Sequence, residues 1–332
     1  MKIRPSACIP ALLFCAACVF APRGLAALEF RQGLVRLVIH ENTGRFSLFY
    51  LADSETDRYE PLFSHQDPRT SFLAVSVDSR VYRIGENPVF TIRVEKNQAK
   101  PAIVFESPFL RIRQEFTFIK TPSSPESNGV KMTVRLENKE SRQVRAGMRL
   151  LIDTNLAEGF GEYPFVTDTQ VITAETAIGF ESEDRWWVSR NSRFSLMGSI
   201  FAGQDAGPNF LHFANWKRLN DLPWKVGYTP GRNFNFPPYS VGDSAVCYYY
   251  DPAPLPSGAT ASYSIYLAAE DPAGFGFKTF ISPEQREADL ILMRDLMGRL
   301  DLFLAGEIAI SGEELADMER TIAQIKARNE LH

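Results

Sequence analysis

The stretch from Met148 to Tyr163 runs from apolar residues into a Gly-rich, acidic loop. Met148, Leu150, Leu151 and Ile152 stop at Asp153-Thr154, and Glu158-Gly159-Phe160-Gly161-Glu162-Tyr163 follows. A carboxylate delivered at the end of a strand can serve as a general acid or base. An Asp followed by Thr can equally hydrogen-bond its own turn, and that structural role is the expectation for Asp153. The histidines are His40, His65, His212 and His332. None falls in an HxH, HExxH or CxxC-linked pattern, so no zinc site is expected. Gly242-Asp243-Ser244 matches the triplet around some serine nucleophiles, but it runs straight into AVCYYY and no G-x-S-x-G elbow occurs. It reads as a turn before a strand. No P-loop or dinucleotide fingerprint is present. No catalytic residue, metal ligand or cofactor is assigned on these grounds.

The aromatic residues are unevenly placed. All four tryptophans, Trp186, Trp187, Trp216 and Trp224, lie between residues 186 and 224, with Tyr228, Phe234, Phe236 and Tyr239 close behind. Rings on the loops of a β-sandwich can stack on sugars or anchor a protein partner. They can also plug the open ends of the sandwich.

The elements that must carry these residues are mostly strands. GLVRLVIH (33–40), the turn ENTGR and FSLFYL (46–51) form a hairpin signature. FLAVSVDS, VFTIRVEK, LRIRQEFTFIK and VKMTVRLENK alternate apolar and polar residues with period two. Ile112, Phe116 and Phe118 share one face, Arg111, Arg113 and Glu115 the other, and Gln114 breaks the pattern. Such alternation fits antiparallel sheets. The expectation is a mainly β protein: a large antiparallel sandwich over 27–281, supersandwich-like in size, with any join between packed halves near 139–144.

The tail is helical in pattern. Ser282-Pro283-Glu284-Gln285 opens a first helix and Ser311-Gly312-Glu313-Glu314 a second. Met293, Leu296, Leu300 and Phe303 recur at helical spacing, as do Leu315, Met318, Ile322 and Ile325. The expectation over 282–332 is an antiparallel helical hairpin paired through these residues. Leu296, Leu300, Phe303, Leu315 and Ile322 are also the candidate partner-binding residues of the tail. With 11 acidic and 6 basic residues, its net charge is −5.

Residues 1–26 read as a signal peptide. Lys2 and Arg4 form the basic region, Ile9 to Ala21 the apolar one, and Gly24-Leu25-Ala26 the cleavage pattern. Lipid anchoring through Cys18, within Cys15-Ala16-Ala17-Cys18, is the weaker alternative. A periplasmic or exported location follows. Beyond residue 26 Cys247 is the sole cysteine, and 27–332 carries a net charge of −7. That charge disfavours nucleic acid as a partner. No segment past the leader is long and apolar enough to span a membrane as a helix.

Three blocks carry a resemblance. LFSHQDPRTSFLAVSVD (62–78), AGMRLLIDTNLAEGFGEYPF (146–165) and GDSAVCYYYDPAPLPSGATASYSIYLA (242–268) resemble, in order, blocks of a group of poorly characterised exported bacterial β-domain proteins. His65, Thr70, Ser71 and Asp153-Thr154 match that group's pattern. Glu158–Glu162 departs from it, standing where the group has an Asn-Asp-Gly turn. The resemblance implies a β-domain in an exported setting and names no activity. It extends to spirochaete-type periplasmic proteins, which would put the cell envelope or periplasmic flagellar apparatus among the partners.

Two functions compete on these residues. One is a non-enzymatic periplasmic or envelope-associated binding or structural protein, with Trp186, Trp187, Trp216, Trp224, Asp153 and His65 as binding residues. Its partner would be an envelope protein or a glycan met through aromatic loops and the acidic tail. The other is a carbohydrate-active β-sandwich enzyme resembling aldose mutarotases, which would need His65 or His212 to converge with Asp153 or Glu162.

Overall fold

The computed structural model of the protein describes residues 27–330, apart from 66, 155, 157, 159–163, 180–181, 204, 278–282 and 307, with the backbone alone at 283–286, 290, 313 and 323–330. Residues 1–26 with Cys18, Glu162, Ser282, His332 and the Ile325 side chain lie outside the described residues.

The chain opens on a four-stranded antiparallel meander of β1 (Ala27–Gln32), β2 (Val35–His40), β3 (Arg45–Asp53) and β4 (Arg58–Pro61). The hairpin between β2 and β3 is the one its residues announce. Gly44 closes it at φ +63°, where any side chain would collide with the Phe105 ring. The remaining strands alternate between two facing sheets. β5 (Phe72–Val77) and β6 (Arg80–Arg83) start a six-stranded sheet. β7 (Thr91–Glu95), β8 (Ala102–Glu106), β9 (Leu110–Ile119) and β10 (Gly129–Asn138) start a nine-stranded one. β11 (Val144–Asp153) returns to the first sheet, and β12 (Phe165–Thr167) and β13 (Val171–Ile172) extend the second. β14 (Thr176–Gly179) joins the six-stranded sheet, then β15 (Trp186–Arg190) and β16 (Ser195–Ser199) the nine-stranded one. β17 (Phe210–Asn215), helix α1 (Trp216–Asp221) and β18 (Ser244–Leu255) follow on the first sheet, and β19 (Thr260–Ala268) on the second.

The strand orders are β14-β17-β18-β11-β5-β6 and β13-β12-β15-β16-β19-β10-β9-β8-β7, with antiparallel pairs throughout. A mainly β, antiparallel sandwich with C-terminal helices is the observed fold. Residues 139–143 carry the chain from one sheet to the other, and one core spans both sides of that crossing.

That core explains the alternation. In β9, Leu110, Ile112, Phe116 and Phe118 are buried between the sheets while Arg111, Arg113 and Glu115 face out. Gln114 also points inward, where its amide lies 2.8 Å from Met132 Sδ, so the break in pattern is a buried polar group with a partner. The meander contributes Leu37, Ile39 and Leu48 to the same cluster. β11 is different: it is buried along nearly its whole length, which is why it reads as a continuous apolar run. Met148, Leu150 and Ile152 face the sandwich interior, while Leu151 lies on the outer face among Phe72, Cys247, Tyr249 and Leu219. Cys247 is a buried free thiol, and burial pushes its pKa up to about 11.

The tail forms α2 (Pro283–Leu304) and α3 (Gly312–Glu330). Ser311 and Glu314 close the capping box their spacing announces: Glu314 N–H donates to Ser311 Oγ at 3.2 Å, and Ser311 N–H to Glu314 Oε2 at 2.9 Å. The seam is narrower than the periodicity suggests. Leu296 and Met318 are buried, but Leu300, Phe303, Leu315 and Ile322 remain 41–44% exposed. Two helices meeting side by side bury one stripe each, and the neighbouring positions stay open. Leu296→Asp should therefore uncouple the hairpin, whereas Leu300→Asp should be milder. Helical circular dichroism of the two variants checks this, and a larger loss for Leu300→Asp would contradict the seam.

Candidate functional site

Antiparallel register brings three distant segments to one end of the six-stranded sheet. Leu151 lies opposite Phe72 and Asp153 opposite Ala245. The end of β11 therefore sits beside the residues just before β5 and β18, so Thr70-Ser71, Asp153-Thr154 and Asp243-Ser244 become neighbours. These belong to the three sequence blocks noted above. Backbone and hydroxyl groups stitch them together. Asp153 N–H donates to Ser71 Oγ (3.0 Å), Ser64 N–H to the Asp153 carbonyl (2.9 Å), and Thr154 Oγ1 to the Ser244 carbonyl (3.1 Å). Ser244 N–H donates to Glu158 Oε1 at 2.9 Å, which draws the loop after β11 over the site. Trp216 clamps two of the segments, donating from Nε1 to the Thr70 carbonyl (2.8 Å) and from its backbone to the Asp243 carbonyl (3.1 Å).

The result is a carboxylate cluster. Asp153, Glu158 and Asp243 each place a carboxylate oxygen within 4.8 Å of the others. Burial pushes the Asp153 carboxyl up to about 6; the Thr70 and Ser64 hydroxyls oppose this, and the Asp243 charge adds to it. Burial likewise lifts Glu158 to about 7, against its hydrogen bond from Ser244 N–H and with the charges of Asp153 and Asp243. Asp243 is raised by burial too, with the Ser240 hydroxyl opposing. Like charges this close cannot all ionise cheaply, so protons are shared among them near neutrality. Asp153 is buried and Glu158 and Asp243 are half-exposed. Such a set can give and accept protons, and its oxygens are also of the type that Ca²⁺ or Mg²⁺ takes.

The other candidate residues are dispersed. Among the described residues, the hydroxyl partners of the Asp153 carboxylate come from the 64–70 segment. His65 lies with its ring edge-on to Phe49 at 5.4 Å. His212 meets Glu175, at 3.1 Å, rather than Asp153, because Glu175 immediately precedes β14, the strand paired with β17. Glu175 Oε1 also accepts from Arg218 (3.0 Å) and Thr229 N–H (2.9 Å), and both His212 and Glu175 are buried. Burial lowers the His212 pKa despite the neighbouring carboxylate. Ser244 is buried, in the turn role expected for its triplet.

The tryptophans do not gather into one platform. Trp187 is 0% exposed in the sandwich interior and donates to Tyr248 Oη at 2.7 Å across the two sheets. Trp186 faces out from the nine-stranded sheet beneath Arg185. Trp216 and Trp224 lie over the outer face of the six-stranded sheet, Trp224 edge-on to Tyr249 at 6.3 Å. Glu158 and Asp243 were not singled out from the sequence. Asp243-Ser244 repeats the acid–hydroxyl order of Asp153-Thr154, but an ordinary turn has the same residues, and Glu158 has no such neighbour.

No protein-family model matches the sequence, and no curated protein matches it. Solved structures resemble its architecture. A galactose mutarotase related enzyme from Lactobacillus acidophilus has 10% identity and a TM-score of 0.41, over 74% of this chain and 98% of that one. A galactose mutarotase-like protein from Lactobacillus casei has 8% identity and a TM-score of 0.46, over 74% and 100%. A candidate aldose 1-epimerase from Escherichia coli has 10% identity and a TM-score of 0.41, over 74% and 99%. At 8–10% identity the likeness is one of β-sandwich architecture, and no residue role passes from those proteins to this chain. The names those structures carry stand with the carbohydrate-active alternative. They do not stand with the expectation of a non-enzymatic envelope protein acting through aromatic loops and an acidic tail, which is set aside here.

The raised carboxylate carries a stability signature with a definite sign. Asp153 titrates near 3.8 when unfolded and about 6 when folded, so its contribution is full below the lower value and is lost as pH rises through the upper one. Wild-type protein should lose about 3 kcal/mol from this group between about pH 4 and about pH 8. Asp153→Asn should remove that share. Urea denaturation of both proteins across this range checks it, and an unchanged pH dependence in the variant would contradict the buried, protonated carboxyl.

Proposed function

We propose that this chain is a carbohydrate-active protein whose Asp153, Glu158 and Asp243 move protons on a sugar, as an aldose 1-epimerase does. The convergence of these three carboxylates, two of them with proton affinities around neutrality, is the observation that carries the reading. Interconverting the anomers of an aldose needs a base for the anomeric hydroxyl and an acid for the ring oxygen. The base takes the O1 proton, the C1–ring-oxygen bond breaks as the C1 carbonyl forms, and the acid protonates the released ring oxygen. Rotation about the C1–C2 bond and reversal of these steps then returns the other anomer with no net proton change. A cluster that shares protons can present both forms at once. Half-exposed Glu158 is the group placed to meet the sugar; buried Asp153 holds its charge state. Asp243 keeps both proton affinities high. The exported location expected from residues 1–26 belongs to the same proposal, as does a glycan or free sugar as the partner.

The test is the rate at which α-D-glucose and α-D-galactose reach anomeric equilibrium, followed by polarimetry. Wild-type protein should accelerate it, with a pH profile governed by groups between about 6 and about 7. Glu158→Gln should lower the rate by about a hundredfold or more, the usual worth of a general acid or base. No acceleration with either sugar, or an undiminished rate in Glu158→Gln, would overturn the proposal.

A further inference from the structure

We infer that a second ligand site lies at the other end of β17, built to take a neutral, hydroxyl-rich ring such as one or two saccharide units. An open cavity of about 390 Å³ is lined by Ser182, Asp184, Phe201, Gly203, Asp205 and Asn209 among others. Asn209 adjoins Phe210, where β17 begins, whereas Asn215, where it ends, bonds the Asp243 carbonyl at the carboxylate cluster. At about 3.3 Å per residue, roughly 17 Å of strand separates the two places.

The polar side of this cavity is held in place. Asp184 is 2% exposed, and its carboxylate accepts from Thr169 Oγ1 (2.5 Å), Gln170 Nε2 (2.8 Å), Ser182 Oγ (2.8 Å) and Thr167. Asp205 accepts from Lys131 Nζ (2.6 Å) and Tyr266 Oη (2.8 Å). Lys131 and Tyr266 are register partners on β10 and β19, and the pleat sends both to the outer face of the nine-stranded sheet. Burial would raise both carboxyls, but these hydrogen bonds outweigh it and hold them below the usual range, so both stay ionised.

Phe201 is the ring on the cavity wall, and a run of rings continues from it beyond the wall. Phe201 meets Phe277 edge-on at 5.8 Å, Phe277 meets Tyr266 at 4.9 Å, and Phe275 stacks on Phe277 at 5.7 Å. All four rings are partly exposed rather than sunk in the core. Gly203, at φ +64°, brings the chain against the Phe277 ring, where a Cβ would sit at 3.4 Å.

These features together select the ligand. Two ionised carboxylates repel anions; Asp184 is saturated by its four internal donors, so the more exposed Asp205 is the one left to accept from a ligand hydroxyl. Lys131 already neutralises Asp205, so a cation would have to displace it. The Phe201 ring can take the C–H face of a pyranose, and the volume lies in the range of small-molecule sites. The site is independent of the proton-transfer reading, because it uses none of the same residues.

Methyl β-D-glucopyranoside and methyl β-D-galactopyranoside are suitable probes, since their anomeric carbons are locked and cannot turn over. In saturation-transfer NMR with the full chain, at least one should show transfer, and Glu158→Gln should preserve it. Asp205→Asn, which keeps side-chain shape, and Phe201→Ala should each weaken binding about tenfold, as loss of one charged hydrogen bond or one ring contact does. Absence of transfer from both glycosides, transfer unchanged in both variants, or loss in Glu158→Gln alone would overturn the second site. So would displacement of the glycoside by millimolar calcium with Asp205 intact.

Discussion

The register of β11 between β5 and β18 is the constraint on which the candidate site depends. A one-residue slip would turn Leu150 and Ile152 out of the core and move Asp153 to the opposite face of the sheet. The pairing is fixed from both sides. Met148, Leu150 and Ile152 pack between the sheets, while Leu151 packs on the outer face. Buried Arg149 secures that outer face. Its guanidinium donates to the carbonyls of Leu219 (3.2 Å), Leu222 (2.8 Å) and Trp224 (2.6 Å), at and beyond the C-terminal end of α1. The Leu219 and Leu222 carbonyls are among those a helix end leaves without intrahelical partners, so the cation answers a local need while closing the cover over the strand.

The same cover shapes the rim of the carboxylate cluster. α1 begins at Trp216 and is capped by Asn215, whose side-chain carbonyl accepts from Lys217 N–H at 3.0 Å while its amide donates to the Asp243 carbonyl at 3.1 Å. One residue thus joins the helix start to the turn that carries an acid. Farther along, Glu175 holds Arg218 and Thr229 against the sheet beside His212. The His212–Glu175 pair, which as residue types would suit catalysis, is spent on packing because both groups are buried beneath this cover. The acids at the sheet end, by contrast, are raised by burial yet not sealed off.

Much of the architecture was legible in the residues, and for local reasons. Period-two patterning announced β9 and β10, the ENTGR turn announced its hairpin, and Ser311–Glu314 announced the start of α3. Each is decided within about ten residues, by pleat, turn or cap. The carboxylate cluster is not local. Asp153 and Asp243 lie far apart in sequence and meet only through strand register, and nothing near Asp243 distinguishes it from an acid in an ordinary turn. Trp187 shows the converse: a residue that reads as a ligand platform is the ring that fills the sandwich, hydrogen-bonded to a buried tyrosine. The tail departs from expectation because helical spacing states which residues share a face and is silent on how much of that face a partner helix covers.

The central claim is that two carboxylates at the end of β11 hold protons near neutrality. The most direct measurement is an NMR titration of the carboxyl carbons of Asp153 and Glu158 in the folded protein. Apparent pKa values of about 6 and about 7 for the coupled pair are the expected result. Titration of both groups near 4, as for ordinary solvated carboxylates, would contradict it.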